Sequence, residues 1–258
     1  MTATGASSEQ VPVRVFGGPT ALIEYGGLRF LTDPTFDAPG SYPSGLAKTA
    51  PASAAPADLG PVDVVLLSHD EHDDNLDAAG RTLLADVPLT LTTPSGAARL
   101  GGTARPLKDW ESIELDRPGG GTITVTGVPA LHGPGAREDL EPVVGEVVGF
   151  VLSGDGLPTV YVSGDNAQLP LVREIAARLG PVDTAVLFAG AVRTPVLDGA
   201  LLTLDSAQAA EAARILGARR IVPVHYDSWA HFTEGRDALV AAFAAAGLAD
   251  RVDFGVRG

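Results

Sequence analysis

The sequence predicts an α/β fold in which two β-sheets pack together with helices on the outside. Short β-type runs fill the first half of the chain, whereas strand-like and helical segments alternate in the second. A third observation places chemistry on this frame. The apolar run Val64-Val65-Leu66-Leu67 ends abruptly in Ser68-His69-Asp70-Glu71-His72-Asp73-Asp74-Asn75. A buried strand thus delivers imidazoles and carboxylates to a sheet edge, the usual layout of an α/β active site.

The elements read as follows. Strand runs cover 13–16, 21–25, 28–32, 62–67, 89–92, 112–115 and 122–128. Turn residues punctuate them. Gly17-Gly18-Pro19 closes the first, and Gly26-Gly27 between two alternating runs reads as a hairpin. Gly119-Gly120-Gly121 precedes a strand rather than a helix, so it reads as a flexible turn and not as a phosphate loop. Later strands cover 147–152, 160–162, 184–188 and 221–224. Between 169 and 179 the apolar residues Leu171, Val172, Ile175 and Leu179 have helical spacing, and 206–216 and 236–246 also read as helices. Asp205 or Ser206 is placed to cap the former, and Asp73 or Asp74 to cap a helix beginning near Asn75.

The 258 residues suffice for one large core, so a single domain is expected over 11–258, preceded by a loose polar tail at 1–10. The stretch 38–61 is rich in Ala, Pro, Ser and Gly and has no periodicity; it is either a flap over the site or a solvated excursion. No apolar run is long enough for a membrane span, and the N-terminus lacks the basic and apolar blocks of a signal peptide. There is no cysteine, which excludes disulfides and thiolate ligands, and a cytoplasmic location is the default. The net charge of −14 repels nucleic acid and anionic membranes, leaving a small molecule as the expected partner. Lys48 and Lys108 are the only lysines, and heavy use of Ala, Gly, Pro and Arg suggests a GC-rich, bacterial genome. A Gly-x-Ser-x-Gly elbow and a Walker loop are both missing from the sequence.

Five histidines are available: His69, His72, His132, His225 and His231. Imidazole and carboxylate donors without thiolate suit Zn, Mn, Fe or Ni. A catalytic ion needs about three protein ligands and an open position. His69 and His72 are close enough in sequence to face one ion, and Asp74 can reach the same ion or a neighbour. His132 and His225 end other strands. Asp165, in Ser163-Gly164-Asp165, can bridge two cations because a carboxylate has two oxygens. Tyr226, Asp227 and Trp229 follow His225 and are placed to shape a pocket, with His231 at its rim.

In their order along nearly the whole chain, these elements resemble the metallo-β-lactamase superfamily, most nearly its ascorbate-6-phosphate lactonase-like and phosphodiesterase-like branch. That resemblance implies a four-layer αββα sandwich. The family pattern His-x-His-x-Asp-His, then a single His, a Gly-Asp pair and a last His, falls on His69, His72, Asp74, His132, Asp165 and His225. The pattern is degenerate. His69 and His72 are one residue too far apart, and Asn75 stands where its final histidine belongs. Glu71 and Asn75 thus become candidate ligands or neighbours of ligands. The resemblance implies a metal-dependent hydrolase of an ester, lactone or phosphoester, carrying one or two Zn or Mn ions that activate a water. Asp165 bridges in that reading, and Asp74 serves as ligand or as general base. The alternative is a non-catalytic or metal-poor relative with a binding or regulatory role.

Overall fold

The structure, a computed structural model, describes residues 10–257, so the tail expected at 1–10 lies almost entirely outside the described residues. Among these residues two sheets dominate. The first is seven-stranded: β1 (Val13–Gly17), β2 (Thr20–Tyr25), β3 (Leu28–Thr32), β4 (Val64–Leu66), β5 (Leu89–Thr92) and β6 (Ala104–Pro106) follow in order, and a final strand (Val256–Arg257) adds beside β1. The second is six-stranded, from β7 (Ser112–Asp116) through β8 (Thr122–Pro129), β9 (Val148–Ser153), β10 (Val160–Val162) and β11 (Thr184–Phe188) to β12 (Arg220–Val224). In both, antiparallel strands come first and parallel strands complete the sheet: β3 to β6 in one, β10 to β12 in the other.

Strand alternation assigns side chains to layers. Val64 and Leu66 of β4 join Ala21, Ile23 and Tyr25 of β2 in the core between the sheets, where they meet Phe150 and Leu152 of β9 and Val222 and Val224 of β12. Val65, Leu67 and Leu22 point the other way, into a cluster with Leu84 of α1 (Ala78–Leu84). On the far side, Val151 and Ile221 meet α4 (Leu169–Leu179), α5 (Ser206–Ile215) and α6 (Arg236–Ala245). Helix, sheet, sheet and helix make the αββα sandwich. Gly26 and Gly27 both have positive φ, 58° and 90°, the turn that a two-residue hairpin between β2 and β3 requires.

Two helices are additional to those read from the sequence, α2 (Pro94–Leu100) and α3 (Arg137–Val144), and α1 starts at Ala78, three residues beyond the helix start read near Asn75. All three are short. Gly80 interrupts α1 and Pro142 lies inside α3, so neither shows a clean 3.6-residue pattern. The cap of α1 is Asp77, whose carboxylate accepts from Gly80 N at 2.8 Å; Asp73 and Asp74 do not cap it. The segment 38–61 contains a small hairpin (Gly40–Ser41 with Ala47–Lys48) and a 3₁₀ turn (Pro56–Asp58). Thr49 N donates to Ser228 O at 2.7 Å and Ala230 N to Ala47 O at 2.9 Å. Tyr42 lies 5.2 Å from the Trp229 ring, and buried Lys48 pairs with Asp77 at 3.1 Å. The segment is thus seated along residues 228–230. No helix among the described residues is long and apolar enough to cross a membrane.

One glycine decides how α1 approaches the end of β3. A Cβ on Gly80 falls 1.9 Å from Pro34 O. Alanine in a helix interior is ordinarily about 1 kcal/mol better than glycine. Overlap with a backbone carbonyl outweighs that gain, since overpacking costs roughly 1–3 kcal/mol or more. Gly80→Ala should therefore lower the thermal midpoint; an unchanged or higher midpoint would show that α1 does not press on Pro34.

Candidate metal centre

Five chain segments converge at one edge of the sandwich, each where a strand ends: Asp33 after β3, Ser68 and His69 after β4, His132 after β8, Asp165 after β10 and His225 after β12. Val148 N donates to Ser68 O at 3.1 Å and ties the two sheets together at this edge. Two backbone positions bend sharply here, Asp33 with φ 27° and His225 with φ 57°. Such conformations are held only where surroundings dictate them. For His225, its N–H donates to Gly18 O at 2.6 Å, and its own carbonyl lies where a Cβ on Gly190 would stand, 2.2 Å away.

His69, His72 and His132 form one donor set whose ligand atoms lie within 4.8 Å of one another. The protons follow from the partners. Ser68 Oγ donates its hydrogen to Asp33 Oδ2 at 2.7 Å, so it accepts from His69 Nδ1 at 3.0 Å. His69 Nε2 keeps its lone pair and faces His72 Nδ1 at 2.9 Å. One shared proton or one shared cation satisfies that spacing. His132 Nδ1 donates to Leu202 O at 2.8 Å, which leaves its Nε2 as an acceptor. Anchoring one ring nitrogen on a carbonyl or carboxylate relay is how ligand histidines are oriented.

Asp74, Asp165 and His225 form a second set, also within 4.8 Å. His225 Nε2 lies 3.2 Å from Asp74 Oδ2 and 3.5 Å from Asp165 Oδ1. The other oxygen of Asp165, Oδ2, lies 3.9 Å from His132 Nδ1, the ring nitrogen that donates to Leu202 O, so Asp165 belongs to the second set and borders the first. His231 Nε2 approaches Asp74 Oδ2 to 2.9 Å, and its side chain is 20% exposed.

The extra residue between His69 and His72 is absorbed outside the cluster. Asp70 turns onto Arg99, whose Nε lies 3.1 Å from both carboxylate oxygens, and the Arg81 guanidinium donates to Asp70 O. Glu71 points to the surface and pairs with Arg99 at 3.1 Å, so it belongs to neither donor set. Asn75 is buried beside the second set. Its Nδ2 donates to Asp33 Oδ2 at 3.2 Å and to Asp165 Oδ1 at 3.4 Å, while its Oδ1 has no partner among the described residues. Tyr226 lies in the helix-side core against Phe254, away from the site. Trp229 is buried between Tyr42, Lys48 and His231 and forms part of a wall behind the rim. Sequence reasoning missed Asp33, Ser68 as its relay, and the contact of His231 with Asp74. Asp33 carried a usable signal: like the others, it is a ligand-type residue at a strand end.

Burial dominates the electrostatics. It pushes His69 well below the ordinary histidine value, helped by the neighbouring His72 and His132, and it lowers His225 as well. Burial takes His132 down to about 3. These rings are neutral at pH 7, the form that binds metal. Burial raises Asp165 well above the usual carboxylate range, with Asp74 and Asp33 adding to it, and raises Asp33 to about 7 despite its donors Ser68 and Asn75. Burial would raise Asp74 too, but hydrogen bonds from His225 and His231 hold it well below. Three buried carboxylates beside neutral imidazoles lack positive charge, and a divalent cation supplies it. The two donor sets, the lone pairs left on His132 by Leu202 O and on His69 by Ser68, and the underpaired Asp165 fit such an ion.

His132 gives a pH test on metal-free protein. Between about pH 6.5 and 3 the unfolded chain binds a proton there that the fold excludes, so stability is lost as pH falls through that window. From pH 7 to pH 5 the chelated wild type should lose roughly 2 kcal/mol more than His132→Leu. Chemical denaturation at both pH values measures this; equal losses would mean that the folded ring titrates normally.

Comparison with known proteins follows the same lines. The sequence pattern of the beta-lactamase superfamily domain matches residues 28–226. A UPF0173 metal-dependent hydrolase from Methanosphaerula palustris is 32% identical over 70% of this chain and 75% of its own. Among solved structures, a possible metal-dependent hydrolase from Veillonella parvula superposes with a TM-score of 0.80 at 17% identity, covering 96% of this chain and 98% of its own. An isothiocyanate hydrolase from Delia radicum gut bacteria has a TM-score of 0.77 at 22% identity, with 93% and 94% covered. Sequence match, fold and strand-end donors agree: the chain belongs to the metallo-β-lactamase superfamily and is an enzyme of its metal-dependent hydrolase kind.

Proposed function

We propose that this enzyme hydrolyses an ester, lactone or phosphoester of a small molecule, with Zn or Mn as its ion. In this reading His69, His72 and His132 hold one ion, Asp74 and His225 a second, and Asp165 lies between them. The observation that carries it is the convergence of two three-donor sets at one sheet edge, with Asp165 3.5 Å from His225 and 3.9 Å from the His132 ring. When bound, the ions polarise the carbonyl or phosphoryl oxygen and lower the pKa of a water to roughly 7. The residues of the chain set up that chemistry. Leu202 O and the Ser68–Asp33 relay keep His132 and His69 neutral and oriented. In the metal-free protein Asp74 accepts from His225 and His231 and stays ionised; where His225 Nε2 would serve as a ligand it no longer donates, and Asp74, still held by His231, can receive a proton from the attacking water or hold that water in line. His231, like His72, is a partly exposed member of the group, and we assign it to the side where substrate enters. Glu71 and Asn75, as departures from the family pattern, favour a metal-poor relative, but each donor set offers three candidate ligands without them. A cavity of about 560 Å³ lined by Pro56, Val62, Leu83 and Val87 lies on the outer side of α1, so donor convergence rather than cavity size locates the site. The charge of −14 supports a small-molecule substrate over nucleic acid, and we place the enzyme in the cytoplasm.

The test pairs metal with turnover. Protein stripped by chelator and reloaded with Zn or Mn is assayed on an aryl ester, a γ-lactone, an aryl phosphodiester and an isothiocyanate. At least one should turn over in a metal-dependent way. Asp165→Asn keeps size but removes the bridging charge, and it should lose bound metal, chelator-sensitive unfolding and turnover together. If the variant keeps full metal and the same chelator-sensitive melting, Asp165 is no ligand. Fully loaded wild type that turns over none of the four classes counts against the substrate assignment.

A further inference from the structure

The two donor sets differ in chemistry, and the difference centres on Asn75. The first set offers three neutral imidazoles, His69, His72 and His132. The second offers two carboxylates and a single imidazole, Asp74, Asp165 and His225. Asn75 occupies the buried position next to the second set, but its Nδ2 carries no lone pair for a cation and is spent on Asp33 and Asp165. What remains there is an amide oxygen without a partner among the described residues. The second position is therefore rich in oxygen, from Asp74, Asp165, the Asn75 amide and, one residue further out, Asp33, with His225 as the imidazole of the set and His231 outside it, hydrogen-bonded to Asp74.

Distances do not choose the ion. Ligand atoms 3.2 and 3.5 Å apart suit any cation about 2.1 Å from each, whether Zn or a harder ion. Donor chemistry does choose. Imidazole suits Zn, whereas carboxylate and carbonyl oxygen suit Mn, Mg or Ca, although Zn outranks Mn in raw affinity at most nitrogen and oxygen sites. Discrimination then appears as a gap between successive Zn affinities. We infer that the centre is heterodinuclear, with a Zn-class ion on His69, His72 and His132 and a hard Mn(II)-class ion on Asp74, Asp165 and His225. The inference rests on the metal reading above and adds which ion goes where.

Chelator-stripped wild type is titrated with Zn(II) by calorimetry, and separately given one equivalent of Zn(II) with excess Mn(II). It is then desalted and read by elemental analysis and Mn(II) electron paramagnetic resonance. Successive Zn affinities should differ by about 100-fold, the upper range for changes around a metal site, and the mixed sample should hold one Zn and one immobilised Mn. Asp74→Asn should lose the Mn signal and keep the Zn, which assigns the ions to their sets. Asn75→His should narrow the Zn gap by about 10-fold or more and weaken Mn retention. If Asn75→His does not fold, wild type and Asp74→Asn decide the matter. Two Zn ions bound with similar affinity and no Mn retained would overturn the inference while leaving the hydrolase intact. Zn lost and Mn kept in Asp74→Asn would overturn it as well. A chain that takes up no metal at all would instead remove the metal reading on which it rests.

Discussion

Buried negative charge at the common edge of the two sheets is the constraint on which the rest of this structure depends. Asp33, Asp74 and Asp165 are each at most 4% exposed, and Asn75 links two of them. Isolated carboxylates are not tolerated in such a place; they neutralise, pair or coordinate a cation. Two of these responses are visible. Asp74 is paired with two imidazoles, whereas burial displaces Asp33, despite two hydrogen bonds from Ser68, and Asp165, which has weak partners only, toward their protonated forms. A cation bound there would link metal affinity to fold stability through the same residues.

The strand ends deliver the ligands, but a layer of neighbours aims them. Leu202 lies just beyond a small hairpin (Arg193–Thr194 with Ala200–Leu201), and its carbonyl selects the tautomer of His132. Arg99 of α2 grips Asp70 and Glu71, so the added residue in the His69–His72 loop bulges toward solvent while both imidazoles still converge. The segment 38–61 backs the opposite wall: Lys48 bridges the Asp77 cap of α1 and the face of Trp229, which in turn borders His231. A short helix, a hairpin and an irregular loop, none with a strong pattern of its own, are what make the site rigid.

Much of the fold was legible because it follows from alternation. Val64 to Leu67 read as a buried strand on both faces, and the structure divides them between the inter-sheet and helix-side cores. The helices α4, α5 and α6 were visible as periodic stripes, and the Asp205 cap is as expected. The helices α2 and α3 were not, and α1 was marked only by candidate caps before it, because helices of seven or eight residues carrying Gly or Pro leave too few turns for a period to show.

At the site, the sequence by itself determined the donor types and the strand ends that carry them: His69, His72, Asp74, His132, Asp165 and His225 all lie in the two donor sets. It also showed that one imidazole is missing at Asn75. Only the tertiary structure decided that Glu71 faces Arg99, that Tyr226 belongs to the outer core, and that Asp33 and His231 complete the surroundings of the site. The physical reason is separation along the chain. Residue type and local spacing fix what a side chain can donate, but His225 meets Asp74 across 151 positions and Asn75 meets Asp165 across 90, contacts that exist only once two sheets have packed.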